Sequence, residues 1–458
     1  MTTRFELGTE LPSPAATAYA WHARPGALER LIPPWETVKV LERSGGLENG
    51  RVVLDVPVGP FRQRWVAQHQ GGTPSLEFVD RQLEGPFASW VHTHRFEPLD
   101  PSRCTMVDRI DYELPFGAAG ELGSGAVWHR LQRTFRYRHQ TLRDDLTALG
   151  LYAAPVPRTI AITGATGLIG RALIPFLTTA GHRVRRVIRG SGGPDDITWD
   201  PAGGRLDPGA LEGVDAVIHL AGEPIAESRW TESQKRRILE SRTQGTALLA
   251  ETLARLRRPP AVLISASAIG IYGDRGDELL TENAGVRTGQ DTLFVEQVGH
   301  AWEAASEPAE RAGIRVARTR FGIILTPAGG ALPPMMTPFL LGLGGRMGSG
   351  RQYMSWIGID DAIGGIYHVL ATESLRGPVN LTGPAPVTNA EFTDTLARVL
   401  HRPALFPVPP AALRMVVGEM ADELLLASAR VIPERLRESG YRFRHPELEG
   451  ALRHVLGR

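Results

Sequence analysis

The chain has 458 residues, 42% apolar and 22% charged, with 51 Lys and Arg against 50 Asp and Glu for a net charge of +1. That length accommodates two or three domains, and the composition is that of a globular protein. The balanced charge offers no field to draw nucleic acid or an anionic bilayer. The lone cysteine, Cys104, excludes an internal disulfide framework and a thiolate-rich zinc centre. Residues 1–6 carry no secretory pattern, and the most apolar stretches, 261–272 and 335–343, are too short and too broken by Gly and Pro to span a bilayer. A cytoplasmic protein is the expectation.

Residues 1–150 alternate with the period of strands. Phe5–Leu7 opens a strand, Ser13-Pro14 starts a helix, and further strands are predicted at 37–42, 51–56, 61–69, 75–83, 87–96 and 105–114. After Gly123-Ser124-Gly125 an amphipathic helix keeps Val127, Leu131, Phe135, Leu142, Leu146 and Leu149 on one stripe. This order predicts an α+β domain in which a curved antiparallel sheet grips its last helix. Residues 151–158, with Pro155 and Pro157, read as a linker. Beyond it, apolar strands at 159–163, 184–188, 214–220, 261–265 and 315–325 alternate with helices at 171–180, 232–256 and 293–312. That pattern predicts an α/β domain with a doubly wound parallel sheet over residues 158–400, followed by a small subdomain at 401–458.

The run Ile162-Thr163-Gly164-Ala165-Thr166-Gly167-Leu168-Ile169-Gly170-Arg171 ends a strand and opens a helix, the setting of a dinucleotide-binding turn. Gly164 permits the tight turn, Gly167 lets the backbone approach a pyrophosphate at the positive end of the helix, and Gly170 lets helix and strand pack closely. A glycine-rich turn without a ligand is the alternative. The following strand ends at Ile188-Arg189 instead of at an acid; arginine suits the 2′-phosphate of NADP, where an acid suits the ribose hydroxyls of NAD. NADP is therefore the expected cofactor, against the alternative that Arg189 is an ordinary surface arginine.

Thr163–Gly170 together with Val217-Ile218-His219-Leu220-Ala221-Gly222 resembles the extended short-chain dehydrogenase/reductases. Several blocks resemble that group's epimerase family branch: Leu220-Ala221-Gly222-Glu223-Pro224-Ile225, Glu240-Ser241-Arg242, Ser265–Gly273, Trp302-Glu303, Gly344–Gln352 and Trp356–Asp361. The likeness runs from about Arg158 to the end, where Gly418-Glu419-Met420-Ala421 and Arg442-Phe443-Arg444 resemble the branch's own C-terminal domain. Residues 1–150 are similar to START-like helix-grip proteins of the polyketide cyclase/dehydrase and lipid-transport type, at Trp21-His22, Pro33-Pro34-Trp35 and Tyr137-Arg138-His139. The resemblance implies a NAD(P)-binding Rossmann domain with the pyrophosphate at Gly164, Thr166, Gly167, Leu168, Ile169 and Gly170, and the 2′-phosphate at Arg189. It further implies that Leu220 and Ala221 line the adenosine and inner ribose, that Arg242 borders the cofactor, and that Ile323 and Ile324 approach the nicotinamide. Core packing is the alternative for each.

Relatives in this superfamily use a Tyr-x-x-x-Lys pair, in which lysine lowers the tyrosine pKa and anchors the ribose. This chain has only Lys39 and Lys235, neither preceded by a tyrosine four residues earlier, and spacing from Ser267 puts Phe294 and Val298 where the pair belongs. Ser267 stays as a carbonyl-polarising hydroxyl and Tyr272 as a candidate proton donor, with a packed loop aromatic as the alternative. Glu223, Asp291 and Glu296 are lesser candidate acids. Arg346 in the glycine block 342–350, or Arg351 just after it, is placed to clamp an anionic substrate, with plain turn duty for the glycines as the alternative, and Trp356 reads as core. In the first domain His92 and His94 share a strand face, but with no carboxylate or thiolate in reach a metal site is not expected. Trp65, Phe78, Trp90, Phe135 and Tyr137 either line a cavity for an apolar ligand or fill the core. The expected functions are an NADP-dependent oxidoreductase or epimerase-like enzyme acting on a small molecule, a non-catalytic NADP(H) sensor or scaffold, or, more weakly, a ligand carrier.

Overall fold

Alternation of apolar and polar residues shapes the first of two units into which the chain divides near residue 155. In the computed structural model, which describes residues 2–115, 117, 120, 123–152, 156–287, 289 and 292–458, this unit runs β1 (Thr3–Leu11), α1 (Ala15–Ala23), α2 (Ala27–Leu31), β2 (Lys39–Ser44), β3 (Arg51–Val58), β4 (Phe61–Gly71), β5 (Glu77–Glu84), β6 (Ser89–Asp100), β7 (Arg103–Glu113) and α3 (Ser124–Gly150). The strands form one antiparallel sheet in the order β1-β7-β6-β5-β4-β3-β2. Cys104, Met106, Ile110 and Tyr112 of β7 face inward with period two, and Leu131, Phe135, Leu142 and Leu146 of α3 pack in the same cores. Each such fully buried side chain stabilises the fold by roughly 2 kcal/mol.

The aromatic residues read as a possible cavity lining pack on their neighbours. Phe78, Trp90, Phe135 and Tyr137 are buried; Trp65 meets Trp90 with ring centroids 5.1 Å apart, and Phe78 stacks on His94 at 4.1 Å. One expectation needs correction. His92 and His94 do have carboxylates in reach, because strand register sets Asp80 directly across from His92 and Asp108 directly across from His94. Cross-strand partners lie about 5 Å apart, so the pairing brings groups together that local spacing keeps separate.

The second unit contains β8 (Thr159–Thr163), α4 (Leu168–Thr179), β9 (Arg183–Ile188), β10 (Ile197–Asp200), β11 (Arg205–Leu206), β12 (Ala216–His219), α5 (Glu232–Ala254), β13 (Val262–Ala268), β14 (Leu279–Leu280), α6 (Phe294–Ala304), β15 (Arg315–Phe321), β16 (Ile323–Leu325), β17 (Tyr353–Met354), β18 (Trp356–Gly358) and β19 (Gly377–Leu381). Its main sheet has the order β11-β10-β9-β8-β12-β13-β15-β19, parallel except for β11. This is the doubly wound Rossmann order, which reverses between β8 and β12 and opens a crevice at their carboxyl ends. Ile160–Ile162, Ala216–Ile218 and Val262–Ile264 are buried on both faces, as continuous apolar runs require.

Two predicted elements are each split. The strand expected at 315–325 breaks at Gly322, where a Cβ would lie 2.5 Å from the Ser355 carbonyl oxygen, and β16 leaves the main sheet to pair with β18. The helix expected at 293–312 is α6 followed by a short helix, Glu307–Arg311; Pro308 has no N–H to continue the ladder. The C-terminal segment folds as helices Pro410–Val417, Glu434–Glu438 and Leu448–Leu456, with Arg430–Val431 pairing with β14. Among the described residues no helix is long and apolar enough to cross a membrane.

Candidate functional site

The glycine turn sits at the reversal point because close approach leaves no alternative residue at its two ends. Gly164 has φ +67°, and a Cβ there would lie 2.7 Å from the Leu220 carbonyl carbon and 2.8 Å from the Ala221 nitrogen. A Cβ on Gly170 would lie 2.4 Å from the Gly164 oxygen. Gly167 differs: its nearest obstacle, the Gly164 oxygen, is 3.2 Å away, and Thr166 and Gly167 are exposed. The first-turn amides of α4, starting at Leu168, Ile169 and Gly170, have no carbonyl four residues back within the helix, so this end presents N–H groups and positive dipole to an anion. A donor set of backbone amides beside an open glycine fits a pyrophosphate.

Behind the turn, one buried chain of hydrogen bonds ties the ends of β8 and β12 together. Thr163 Oγ1 accepts from the Leu220 and Ala221 amides at 3.1 and 3.2 Å and lies 2.7 Å from His219 Nδ1. The hydroxyl thus donates to Nδ1, which leaves the proton on Nε2 to bond Thr246 Oγ1 at 3.0 Å; Thr246 donates in turn to the Arg242 carbonyl at 2.6 Å. Burial lowers the His219 pKa to about 4, so the ring is neutral. Arg242 holds the loop after β12 from the other side, donating to the Glu223 carbonyl at 2.9 Å with its guanidinium 4.8 Å over the Trp302 ring. Desolvation lowers its pKa only to about 10, so it remains charged.

Arg189 follows β9, is exposed, and has no hydrogen-bond or ion-pair partner among the described residues. It borders a cleft of about 460 Å³ whose other walls include Thr198, Trp199, Arg205 and Asp207. Ile324, half-buried in β16, pairs with Ile357.

Ser267 and Tyr272, five residues apart, belong to one buried network. Ser267 Oγ donates to Glu303 Oε1 at 2.8 Å; Glu303 grips Arg320 through two bonds of 2.7 and 2.8 Å. Arg320 donates at 2.8 Å to the Tyr272 hydroxyl, which donates to Asn380 Oδ1 at 2.8 Å. Burial opposes the Arg320 charge, but the Glu303 carboxylate more than restores it and raises its pKa; burial likewise raises that of Tyr272. Tyr272 is 0% exposed, the packed and satisfied aromatic that the sequence left open as an alternative.

Phe294, half-buried at the start of α6, lies under Lys235 Nζ at 5.3 Å from its ring centroid, and Val298 is buried. Glu296 binds Arg287 at 3.0 Å and accepts from the Leu293 amide at 2.7 Å, which is helix-capping duty. Glu223 anchors the Ser241 hydroxyl through its amide at 3.0 Å; Asp291 lies outside the described residues. Arg346 and Arg351 are exposed, Gly344 and Gly345 are fixed by close packing on Phe339 and Phe406, and Trp356 is core. Sequence reasoning missed Glu303 and Arg320 as partners of Ser267 and Tyr272; Trp302-Glu303 was visible as a block, but nothing in the spacing tied it to Ser267.

Family models match in three places: residues 11–136 as polyketide cyclase / dehydrase and lipid transport, 160–381 as the NAD dependent epimerase/dehydratase family, and 408–455 as a domain of unknown function, DUF1731. An epimerase family protein of Mycobacterium bovis is 44% identical over 294 residues, covering 64% of this chain and 96% of the relative. The human epimerase family protein SDR39U1 is 36% identical over 300 residues, 65% of this chain and 99% of its own. Among solved structures, a nucleoside-diphosphate sugar epimerase from Corynebacterium glutamicum superposes with TM-score 0.82 at 33% identity, over 99% of this chain and 90% of that one. Human SDR39U1 isoform 2, solved with NADPH, gives TM-score 0.59 at 35% identity over 65% of this chain and 98% of that one. With the Rossmann order, the glycine turn and these matches together, the chain belongs to the epimerase family proteins of the NAD dependent epimerase/dehydratase family, with a polyketide cyclase-type domain ahead of its Rossmann domain.

Proposed function

We propose that the second unit binds NADP(H) at the carboxyl ends of β8 and β12, and that the protein is an NADP-dependent oxidoreductase or epimerase-like enzyme working without a Tyr-x-x-x-Lys pair. The observation that carries this reading is the contrast within one turn: Gly164 and Gly170 are closed in by backbone, while Gly167 faces outward at the start of α4. In this reading Gly164, Thr166, Gly167, Leu168, Ile169 and Gly170 form the pyrophosphate cradle, and Arg189 takes the 2′-phosphate from the rim of its cleft. Leu220 and Ala221 cover the adenosine and inner ribose, Arg242 positions that loop through the Glu223 carbonyl, and Ile324 meets the nicotinamide face. The human relative solved with NADPH supports the same choice of cofactor.

NADP(H), when bound, supplies or accepts hydride at the nicotinamide C4. The chain's own contribution is to orient that ring, to exclude water, and to hold a proton at Ser267 Oγ, with Tyr272 fixing Arg320 at the far end of the same network. A second reading, a non-catalytic NADP(H) sensor, is favoured by one observation: both hydroxyls are already engaged, Ser267 with Glu303 and Tyr272 with Arg320 and Asn380.

Calorimetric titration with NADPH, NADP+, NADH and NAD+ tests both readings. Wild type is expected to prefer the phosphorylated cofactors, and Arg189→Ala to weaken NADPH at least tenfold, about 1.4 kcal/mol, without changing NADH. Absence of any dinucleotide binding overturns both. Given binding, substrate-dependent consumption of NADPH that falls more than tenfold in Ser267→Ala or Tyr272→Phe supports the enzyme; binding without turnover across a carbonyl and nucleotide-sugar panel supports the sensor.

A further inference from the structure

One face of the first sheet holds a set of ionisable side chains that the cofactor site does not use, with His92, His94 and Asp108 buried and Asp80 partly so. Asp80 on β5 and His92 and His94 on β6 come together there, with donor atoms all within 4.8 Å of one another. Asp80 Oδ2 stands 3.3 Å from His94 Nε2 and 3.8 Å from His92 Nδ1. Three ligands around one ion at 2.0–2.2 Å in tetrahedral array stand about 3.4 Å apart, so these separations match with shifts of a few tenths of an ångström.

The far nitrogens are equally organised. His92 Nε2 lies 3.1 Å and His94 Nδ1 2.7 Å from the same Asp108 oxygen, while the other oxygen of Asp108 meets His139 Nε2 at 2.8 Å. His139 is fixed in turn by Thr9 Oγ1 at 2.7 Å, and His69 Nε2 holds the second oxygen of Asp80 at 2.9 Å. Each imidazole therefore has one nitrogen towards Asp80 and the other backed by a carboxylate, the arrangement that orients a metal-bound histidine and raises its basicity.

Chemical accounting asks for a positive charge at this place. Four nitrogen-to-carboxylate approaches surround two rings, and a neutral imidazole has one N–H to give. Two of the four nitrogens would then turn lone pairs towards carboxylate oxygens unless a ring is protonated or a metal ion lies between them. Arg138, on α3, is a further cation felt by both carboxylates, and its guanidinium lies over the Phe135 ring at 4.9 Å.

We propose that Asp80, His92 and His94 bind one divalent transition-metal ion of the zinc class, with Asp108 as the orienting carboxylate behind both imidazoles. Imidazole ligands select such ions over calcium or magnesium, and three protein ligands leave a coordination position open for water or a ligand oxygen. The first unit is then a polar, metal-centred site instead of a purely apolar carrier.

The test uses the purified full-length chain, stripped with a chelator and titrated with Co2+, whose visible d–d absorption reports a low-coordinate nitrogen and oxygen site. One equivalent of Co2+ is expected to bind and to be displaced by Zn2+. Asp80→Asn and His94→Ala are expected to lose the absorption, and Asp108→Asn to weaken binding 10–100-fold with the absorption retained. Wild type that takes up neither Co2+ nor Zn2+ holds a protonated, metal-free network and overturns the proposal, whether or not the variants fold. Folded His94→Ala that binds as wild type does overturns it as well, since the ion then lies elsewhere.

Discussion

His219 illustrates how burial at one residue becomes a property of the whole domain. In the unfolded chain its ring takes a proton below about pH 6.5, whereas the folded ring, desolvated between Thr163 and Thr246, holds off until about 4. Between those values the unfolded state binds more protons, so stability falls as pH drops from 6.5 and the loss is complete near 4, amounting to roughly 3 kcal/mol from this residue. His368 and His445, also lowered to about 4 by burial, act in the same direction. Thermal unfolding from pH 7.5 to 4 is expected to show this decline, and His219→Asn to flatten it; equal slopes in both proteins would remove the assignment. The Glu303–Arg320 pair offers a second residue-scale test. Truncation in Glu303→Ala strands a guanidinium whose side chain is 6% exposed, so a loss of about 3–5 kcal/mol is expected. Ser267→Ala, which removes one hydrogen bond and leaves the pair intact, is expected to cost about 1 kcal/mol by urea denaturation.

At the level of elements, the turn between β8 and α4 makes unequal demands on its glycines. Gly164→Ala forces a left-handed backbone on alanine and drives its Cβ into the Leu220 carbonyl, for a loss of about 2 kcal/mol or more. Gly167→Ala needs only a small shift of the Gly164 oxygen, so its melting temperature is expected to stay within a degree or two of wild type while NADPH affinity drops more than tenfold. Similar losses of affinity and stability in the two variants would argue against an outward-facing Gly167. This turn was legible in the sequence because its determinants lie within eight consecutive residues. The histidine pair of β6 was only half legible: period two showed that His92 and His94 share a face, but their carboxylates come from β5 and β7 through register. A register one residue away would turn Asp80 and Asp108 to the other face, and no short-range pattern distinguishes the two. The same limit hid the path from Ser267 through Glu303 and Arg320 to Tyr272 and Asn380, which joins β13, α6, β15 and β19.

On the scale of the molecule, two kinds of chemistry occupy two separately built units. The antiparallel unit concentrates buried histidine and aspartate inside a sheet, and the parallel unit concentrates glycine and backbone amides at a strand reversal. The change of hydrophobic pattern near residue 155, from alternating to continuous strands, made that division readable, since a sheet covered on both faces cannot alternate. Distinct sites imply distinct protection by ligand, because a ligand that binds the folded form suppresses the openings that expose amides at its own site. Hydrogen exchange on the full chain is therefore expected to slow at β8, the first turns of α4 and β12 when NADPH is added, and at β5 and β6 when Zn2+ is added to the chelator-treated protein. At a hundredfold excess over the dissociation constant the added protection reaches about 2.7 kcal/mol, a factor of roughly a hundred in exchange rate for amides that exchange only through those openings. NADPH that protects β5 and β6 and leaves β8 unchanged would move the cofactor out of the Rossmann unit, and Zn2+ that protects neither β5 nor β6 would remove the metal from the first sheet.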